Sequence, residues 1–180
     1  LLGPINDEQK DLVVDIHTSG DHLLEMINNI LDLSKIEANK LNLELLAFSF
    51  QQILDSVCFS LKQQAATKGI NLRITKESSY YDVWLGDPVR VKQVLLNLVS
   101  NAIKFTDGGE VLITVGQNSQ GALCFKVVDT GIGMSKDVAE DIFSPFRQAD
   151  SSTFQKYGGS GLGLSICKSL LELMDGSIEV

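Results

Sequence analysis

The stretch NLVSNAIK places Asn97 and Asn101 four residues apart, with Lys104 three residues further on. On a helix that spacing brings both amides to one face. There their oxygens suit a hard divalent cation, their N–H groups suit phosphate oxygens, and Lys104 adds a point charge. The stretch DTGIG follows at residues 129–133, with Asp129 ending the apolar run Phe125 to Val128. A carboxylate at a strand end can accept a hydrogen bond from an exocyclic amine, and Gly131 and Gly133 let backbone pass close to a flat base. A third stretch, GGSGLG at residues 158–163, leads directly into an apolar helical run from Leu164. Unpaired amides at a helix start, with glycines clearing their path, fit phosphate. Taken singly, these are also a solvated amide face, an Asp-Gly turn and a flexible loop. In this order they supply what the metal and phosphates, the adenine and the phosphate tail of Mg-ATP each require. The glycine spacing is neither that of a P-loop, since no Lys-Ser/Thr follows, nor a dinucleotide fingerprint after a strand.

Between the two glycine motifs lie Phe143, Phe146, Arg147, Gln148 and a run of small polar residues, Ala149 to Thr153. The two phenylalanines can anchor the ends of a segment whose polar interior moves over a ligand. His17 and His22 have no neighbouring constellation and read as flanking or solvated residues of a helix.

These residues need elements to hold them. Asn6 with Gln9 has the spacing of a capping box. Leu12, Ile16, Ser19, Leu23, Met26, Ile30 and Leu33 then form a heptad seam, and Leu24, Ile27 and Leu31 widen it. Such a face calls for a bundle shared between chains. After Lys40 the period changes to two at Leu41, Leu43 and Leu45, which predicts a short strand and a domain boundary near residue 40. The pattern then predicts a helix over 49–67, a strand over 70–75 and a helix from Pro88, capped by Asp87, to about Lys104. Strands at 110–117 and 122–128 join through the turn-forming Asn118 to Gly121. A short helix near 136–142, a helix over 161–174 and a strand over 177–180 complete the order. Without strict alternation of strands and helices, the best fit is an α/β mixed sheet covered by helices on one face.

The chain has 180 residues, enough for one principal core and a helical attachment. Hydrophobic residues at 44% and charged residues at 21% exclude a disordered or collagenous chain. A formal charge of −8, with scattered Lys and Arg, disfavours nucleic acid as a partner yet leaves room for a small anion held by local amides. Cys58, Cys124 and Cys167 are odd in number and lie in apolar segments, which fits reduced thiols. No run approaches the roughly 18–20 apolar residues of a membrane span, and the start lacks a signal-peptide pattern. A cytoplasmic placement is expected, with the parent chain free to be membrane-anchored.

In four ordered boxes the chain resembles sensor histidine kinases, specifically their catalytic ATP-binding domain preceded by the second helix of the dimerisation domain. NLVSNAIKFT resembles the asparagine box, VVDTGIGM the first glycine box, IFSPFRQAD the phenylalanine box and GGSGLGLSI the second glycine box. The resemblance covers essentially all 180 residues. It implies a two-layer α/β sandwich of the GHKL superfamily, with residues 1–40 as the remnant of a helical dimerisation domain and 41–180 as the catalytic domain, truncated at its C-terminal strand. ATP and Mg²⁺ are the implied cofactors, and a homodimer built through a four-helix bundle is the implied assembly. Asn101 would take the metal and phosphates, supported by Asn97 and Lys104. Asp129 would read adenine, with Gly131 and Gly133 lining the base pocket. Gly159, Gly161, Leu162 and Gly163 would cradle phosphates under a lid that carries Lys156, and Gln155 stands where similar kinases often place Arg.

The same resemblance implies donation of the γ-phosphoryl group to a histidine on a His-bearing dimerisation domain, then to the aspartate of a response-regulator receiver domain. No phosphoacceptor box is present in these residues, so self-phosphorylation by this piece alone is not expected. Related ATPases place Glu at the position of Asn97 to activate water, and an amide cannot accept that proton at neutral pH. Slow hydrolysis is therefore expected. A GHKL-type ATP hydrolase and a non-catalytic dimerisation module are the alternatives, separated by phosphate release and by titration with Mg-ATP.

Overall fold

The computed structural model describes residue 3 and residues 5–38, 40–145 and 161–180. The chain divides into two compact units, Leu1–Leu41 and Asn42–Val180. In the first, helix α1 spans Asp7–Glu37. Its capping box is formed as the sequence predicts: Gln9 N–H donates to Asn6 Oδ1 (2.8 Å) and Asn6 N–H donates to Gln9 Oε1 (3.0 Å). The seam residues Leu12, Ile16, Leu23, Met26 and Ile30, and the second stripe of Leu24, Ile27 and Leu31, are all exposed. A helix gains most of its stability from packing such a face, so α1 has the surface of a bundle member.

In the second unit, strand β1 (Leu46–Ser49) pairs antiparallel with β3 (Val83–Gly86). Strand β2 (Ile70–Lys76) pairs parallel with β4 (Gly109–Gln117), and β4 pairs antiparallel with β5 (Leu123–Asp129). Among the described residues the unit also holds helices α2 (Phe50–Thr67), α3 (Pro88–Lys104), α4 (Lys136–Asp141) and α5 (Gly163–Leu173). The sheet is mixed, as expected, because the chain returns through β3 and α3 before laying β4 parallel to β2.

Period-two alternation decides which face is covered. Ile70, Val111, Ile113, Val115, Phe125 and Val127 meet Phe50, Leu54, Val57, Leu95, Val99 and Ile103 of α2 and α3 in one core. Phe50 stacks on Phe125 with ring centroids 5.7 Å apart; truncating a buried phenylalanine of this kind costs about 3–5 kcal/mol. The opposite face carries an Arg73–Glu110 ion pair at 3.1 Å and a Thr75–Thr114 hydroxyl pair at 3.0 Å. This is the two-layer arrangement of the sequence reading.

Asp82 ties β3 to the start of α2. It accepts hydrogen bonds from Gln51 N–H (2.8 Å), Tyr80 Oη (2.9 Å) and Ser49 Oγ (3.0 Å). Those donors, the Gln51 amide foremost, hold its carboxyl below the usual range. Burial, followed by the bond to Asp82, pushes the Tyr80 hydroxyl up to about 12.

Three sequence expectations need correction. The strand predicted over 41–45 starts instead at Leu46, because β3 reaches only from Leu46 to Ser49 and Glu44 N–H is claimed by the Asp87 carboxylate at 3.1 Å. Strand β3 itself was not anticipated, being only four residues long. Residues 177–180 form no strand, having no ladder partner among the described residues. The chain leaves α5 through Asp175, at φ 58°, with Gly176 N–H donating to Leu171 O at 2.7 Å.

A candidate nucleotide-binding site

Helix α3 positions the asparagines. Its N-terminus is fixed by buried Asp87, whose Oδ1 accepts Val89 N–H (3.0 Å) and Arg90 N–H (3.1 Å), with Pro88 preset for the first turn. Leu95, Val99, Ala102 and Ile103 anchor one side in the core, which leaves Asn97 and Asn101 together on another and half-buried. Asn101 Nδ2 donates to Asn97 Oδ1 at 2.9 Å. That bond orients both amides. It leaves Asn101 Oδ1 as an acceptor and Asn97 Nδ2 as a donor.

Helix α5 packs against α3, with Cys167 Sγ 3.9 Å from Val94 O. Burial pushes the Cys167 thiol up to about 12, so it stays protonated and serves as an apolar contact. At the start of α5 the asparagine and second glycine motifs meet. A Cβ on Gly163 would lie 2.5 Å from Asn97 Nδ2, 2.7 Å from Asn97 Oδ1 and 3.0 Å from Asn97 Cγ. Gly161, at φ 69°, makes the turn into the helix, and among the described residues no side chain caps its N-terminus. The sequence reading gave Leu162 and Gly163 to the phosphates. The structure buries the Leu162 side chain and fills the space above Gly163 with the Asn97 amide, so both offer a ligand only backbone.

Asp129 ends β5 opposite Val111, on the face that the helices cover. Its Oδ1 accepts Gly131 N–H at 2.9 Å, and the side chain is exposed, with Oδ2 outside that bond. Gly131 has a protein reason to be glycine: a Cβ there would collide with the Phe105 carbonyl at the end of α3. Ile132 N–H donates to the same carbonyl at 3.2 Å, which stitches the DTGIG loop to the asparagine helix. At Gly133, with φ 65°, an added Cβ would meet none of the described residues within 4 Å. Lys104 Nζ lies 5.2 Å from the centre of the Phe105 ring. Phe143 is half-buried just beyond α4. Phe146, Lys156 and Gly159 lie outside the described residues.

Residues 86–180 match the profile of the histidine kinase-, DNA gyrase B-, and HSP90-like ATPases. The chain belongs to that family. It is 41% identical over 181 residues to the circadian input-output histidine kinase CikA of Synechococcus elongatus, covering 99% of this chain and 24% of that protein. It is 39% identical to hybrid signal transduction histidine kinase K of Dictyostelium discoideum, over 96% of this chain and 15% of that one. The chain thus spans a quarter or less of these two relatives. Among solved structures, full-length ShkA in complex with AMPPNP superposes with a TM-score of 0.80 at 34% identity, over 96% of this chain and 35% of ShkA.

Membership in this ATPase family makes the amide pair the natural place to ask whether Mg-ATP fits. Among the described residues no group of three His, Cys, Asp or Glu is placed to hold a metal. Asn101 Oδ1, an unengaged hard oxygen, meets what Mg²⁺ takes from a protein when phosphates and water supply its other ligands. The residues fit the group. Among the described residues no helix is long and apolar enough to cross a membrane.

Sequence reasoning missed Lys68, whose ammonium meets the end of α3 from 36 residues upstream of Lys104.

Proposed function

We propose that this chain is the ATP-binding catalytic portion of a two-component sensor histidine kinase, which donates the γ-phosphoryl group to a histidine carried outside these residues. The observation that carries the reading is the contact of Asn97 with Gly163, which brings the metal-suited amide pair to the start of α5. When bound, Mg-ATP supplies the phosphoryl group and the charge of its metal.

The chain's own residues do the rest. Asn101 Oδ1 would hold Mg²⁺, and Asn97 Nδ2 would donate to phosphate oxygen. The first amides of α5 would add partial positive charge at the phosphates. Lys104, Lys156, Gly159 and Gly161 would extend that cradle, with Phe143 and Phe146 anchoring a lid. Asp129 Oδ2 would accept a hydrogen bond from the adenine amine beside Gly131 and Gly133. Because Asn97 is an amide, the site holds no base there to activate water, and transfer relies on positioning. The exposed face of α1 would close a homodimeric bundle with the His-bearing helix, and a receiver aspartate would take the phosphoryl group next.

Mixing this chain with a separate His-bearing dimerisation domain and γ-labelled ATP tests the proposal. Label is expected on that histidine. Phosphate release at the rate of a dedicated ATPase, with no labelled histidine, would reject it.

A further inference from the structure

The last turn of α3 exposes carbonyls that the helix itself cannot satisfy. Asn101 O accepts Phe105 N–H at 3.0 Å and Ala102 O accepts Thr106 Oγ1 at 2.8 Å. Phe105 O accepts Ile132 N–H, as described above. The remaining three, Ile103 O, Lys104 O and Thr106 O, accept from one group, the Lys68 ammonium, at 3.0, 2.6 and 3.3 Å. An ammonium has three N–H donors and no acceptor, so the donor count matches the carbonyl count. Its charge also sits at the negative end of the α3 dipole.

Lys68 is itself held. It is the C-cap of α2, its N–H donates to Ala65 O at 3.2 Å, and Gly69 at φ 65° turns the chain into β2 beside β4. We infer that Lys68 is a positioning residue for nucleotide binding: by tying the end of α3 to the α2–β2 turn, it sets the Phe105 carbonyl on which the DTGIG loop rests. Two parts of the site depend on that one turn. Asn101 lies one helical turn before the carbonyls, and Asp129 bonds to Gly131, which touches Phe105 O.

The inference rests on the nucleotide-site reading above. Replacing Lys68 with methionine keeps the stem and removes all three donors, leaving three carbonyls without them. Calorimetric titration of this chain with Mg-ATP is expected to show affinity lowered about tenfold or more for Lys68→Met, the scale on which supporting hydrogen bonds act on a binding site. Hydrogen exchange at the Ile132 amide should accelerate in the same variant. Lys62→Met, on the exposed side of α2, should match the parent in both. Lys68→Arg keeps the charge and is expected to recover most of the affinity. Affinity within about twofold of the parent for Lys68→Met, or unchanged exchange at Ile132, overturns the inference. If Lys68→Met does not fold, Lys68→Gln is read by the same two measurements, with the same two outcomes. A parent chain with no saturable Mg-ATP binding would refute the proposed function instead, and Ile132 exchange alone would then decide the role of Lys68.

Discussion

Gly163→Ala separates binding from stability. The added methyl would stand 2.5 to 3.0 Å from the Asn97 amide, so Asn97 must move. The obstacle is the end of a two-torsion side chain and not backbone, and Gly163 has no positive φ to strain an alanine. Overpacking costs about 1–3 kcal/mol where neighbours cannot yield. Here the amide can swing aside, and alanine returns up to about 1 kcal/mol of helix propensity. The net change in stability should therefore stay within about 1 kcal/mol, or roughly 2–4 °C in melting temperature for a chain of this size. Binding has no such compensation. Rotating Asn97 breaks its 2.9 Å bond with Asn101 and releases the oxygen that would face Mg²⁺. Loss of about tenfold to a hundredfold in Mg-ATP affinity is expected, read by calorimetric titration beside a thermal melt. In an Asn97→Ala background the obstacle is gone, and Gly163→Ala should have almost no further effect on binding. An affinity within about twofold of the parent, or a full second penalty in the double variant, would refute the coupling of the two motifs.

Three further outcomes are expected. Gly131→Ala meets the Phe105 carbonyl, which is backbone and cannot swing away; denaturant unfolding should show a larger stability loss than Gly163→Ala, of about 1–3 kcal/mol. Asp129→Asn keeps an oxygen for Gly131 N–H but turns the acceptor proposed for the adenine amine into a donor. Competition titration should show ATP affinity falling about tenfold to a hundredfold, with discrimination against GTP lost. Asp82 has a carboxyl held below its unfolded value, so its contribution is complete above about pH 4 and fades as pH falls through the lowered folded value. Asp82→Asn should therefore unfold at lower urea than the parent at pH 7, and the two midpoints should converge in acid.

The parts of this fold that the sequence announces are those whose partners are local. The capping box of Asn6 and Gln9, the Asp87-Pro88 start of α3 and the Asn118 turn each close over a few residues, and each is found where expected. The buried stripe of α3 likewise separates the core side from Asn97 and Asn101 by period alone. What sequence cannot announce is a requirement set by a distant group. The glycines of DTGIG and GSGLG read as clearance for a ligand, yet Gly131 makes way for the carbonyl of Phe105 and Gly163 for the amide of Asn97. Lys68 carries no signal in the sequence because the three carbonyls it satisfies are brought to it only when α3 packs beside α2. Strand β3 escapes for the same reason, since four residues gain strand identity from β1 across the ladder and not from their own pattern. A glycine in a binding motif thus has two distinct physical readings, clearance for a ligand and clearance for protein. They assign different causes to the effect of alanine: a methyl that meets the ligand while packing is unchanged in the first case, and a displaced protein neighbour in the second. For Gly131 and Gly163 the neighbour is named and its distance is short, so the protein is the first thing an added methyl would meet.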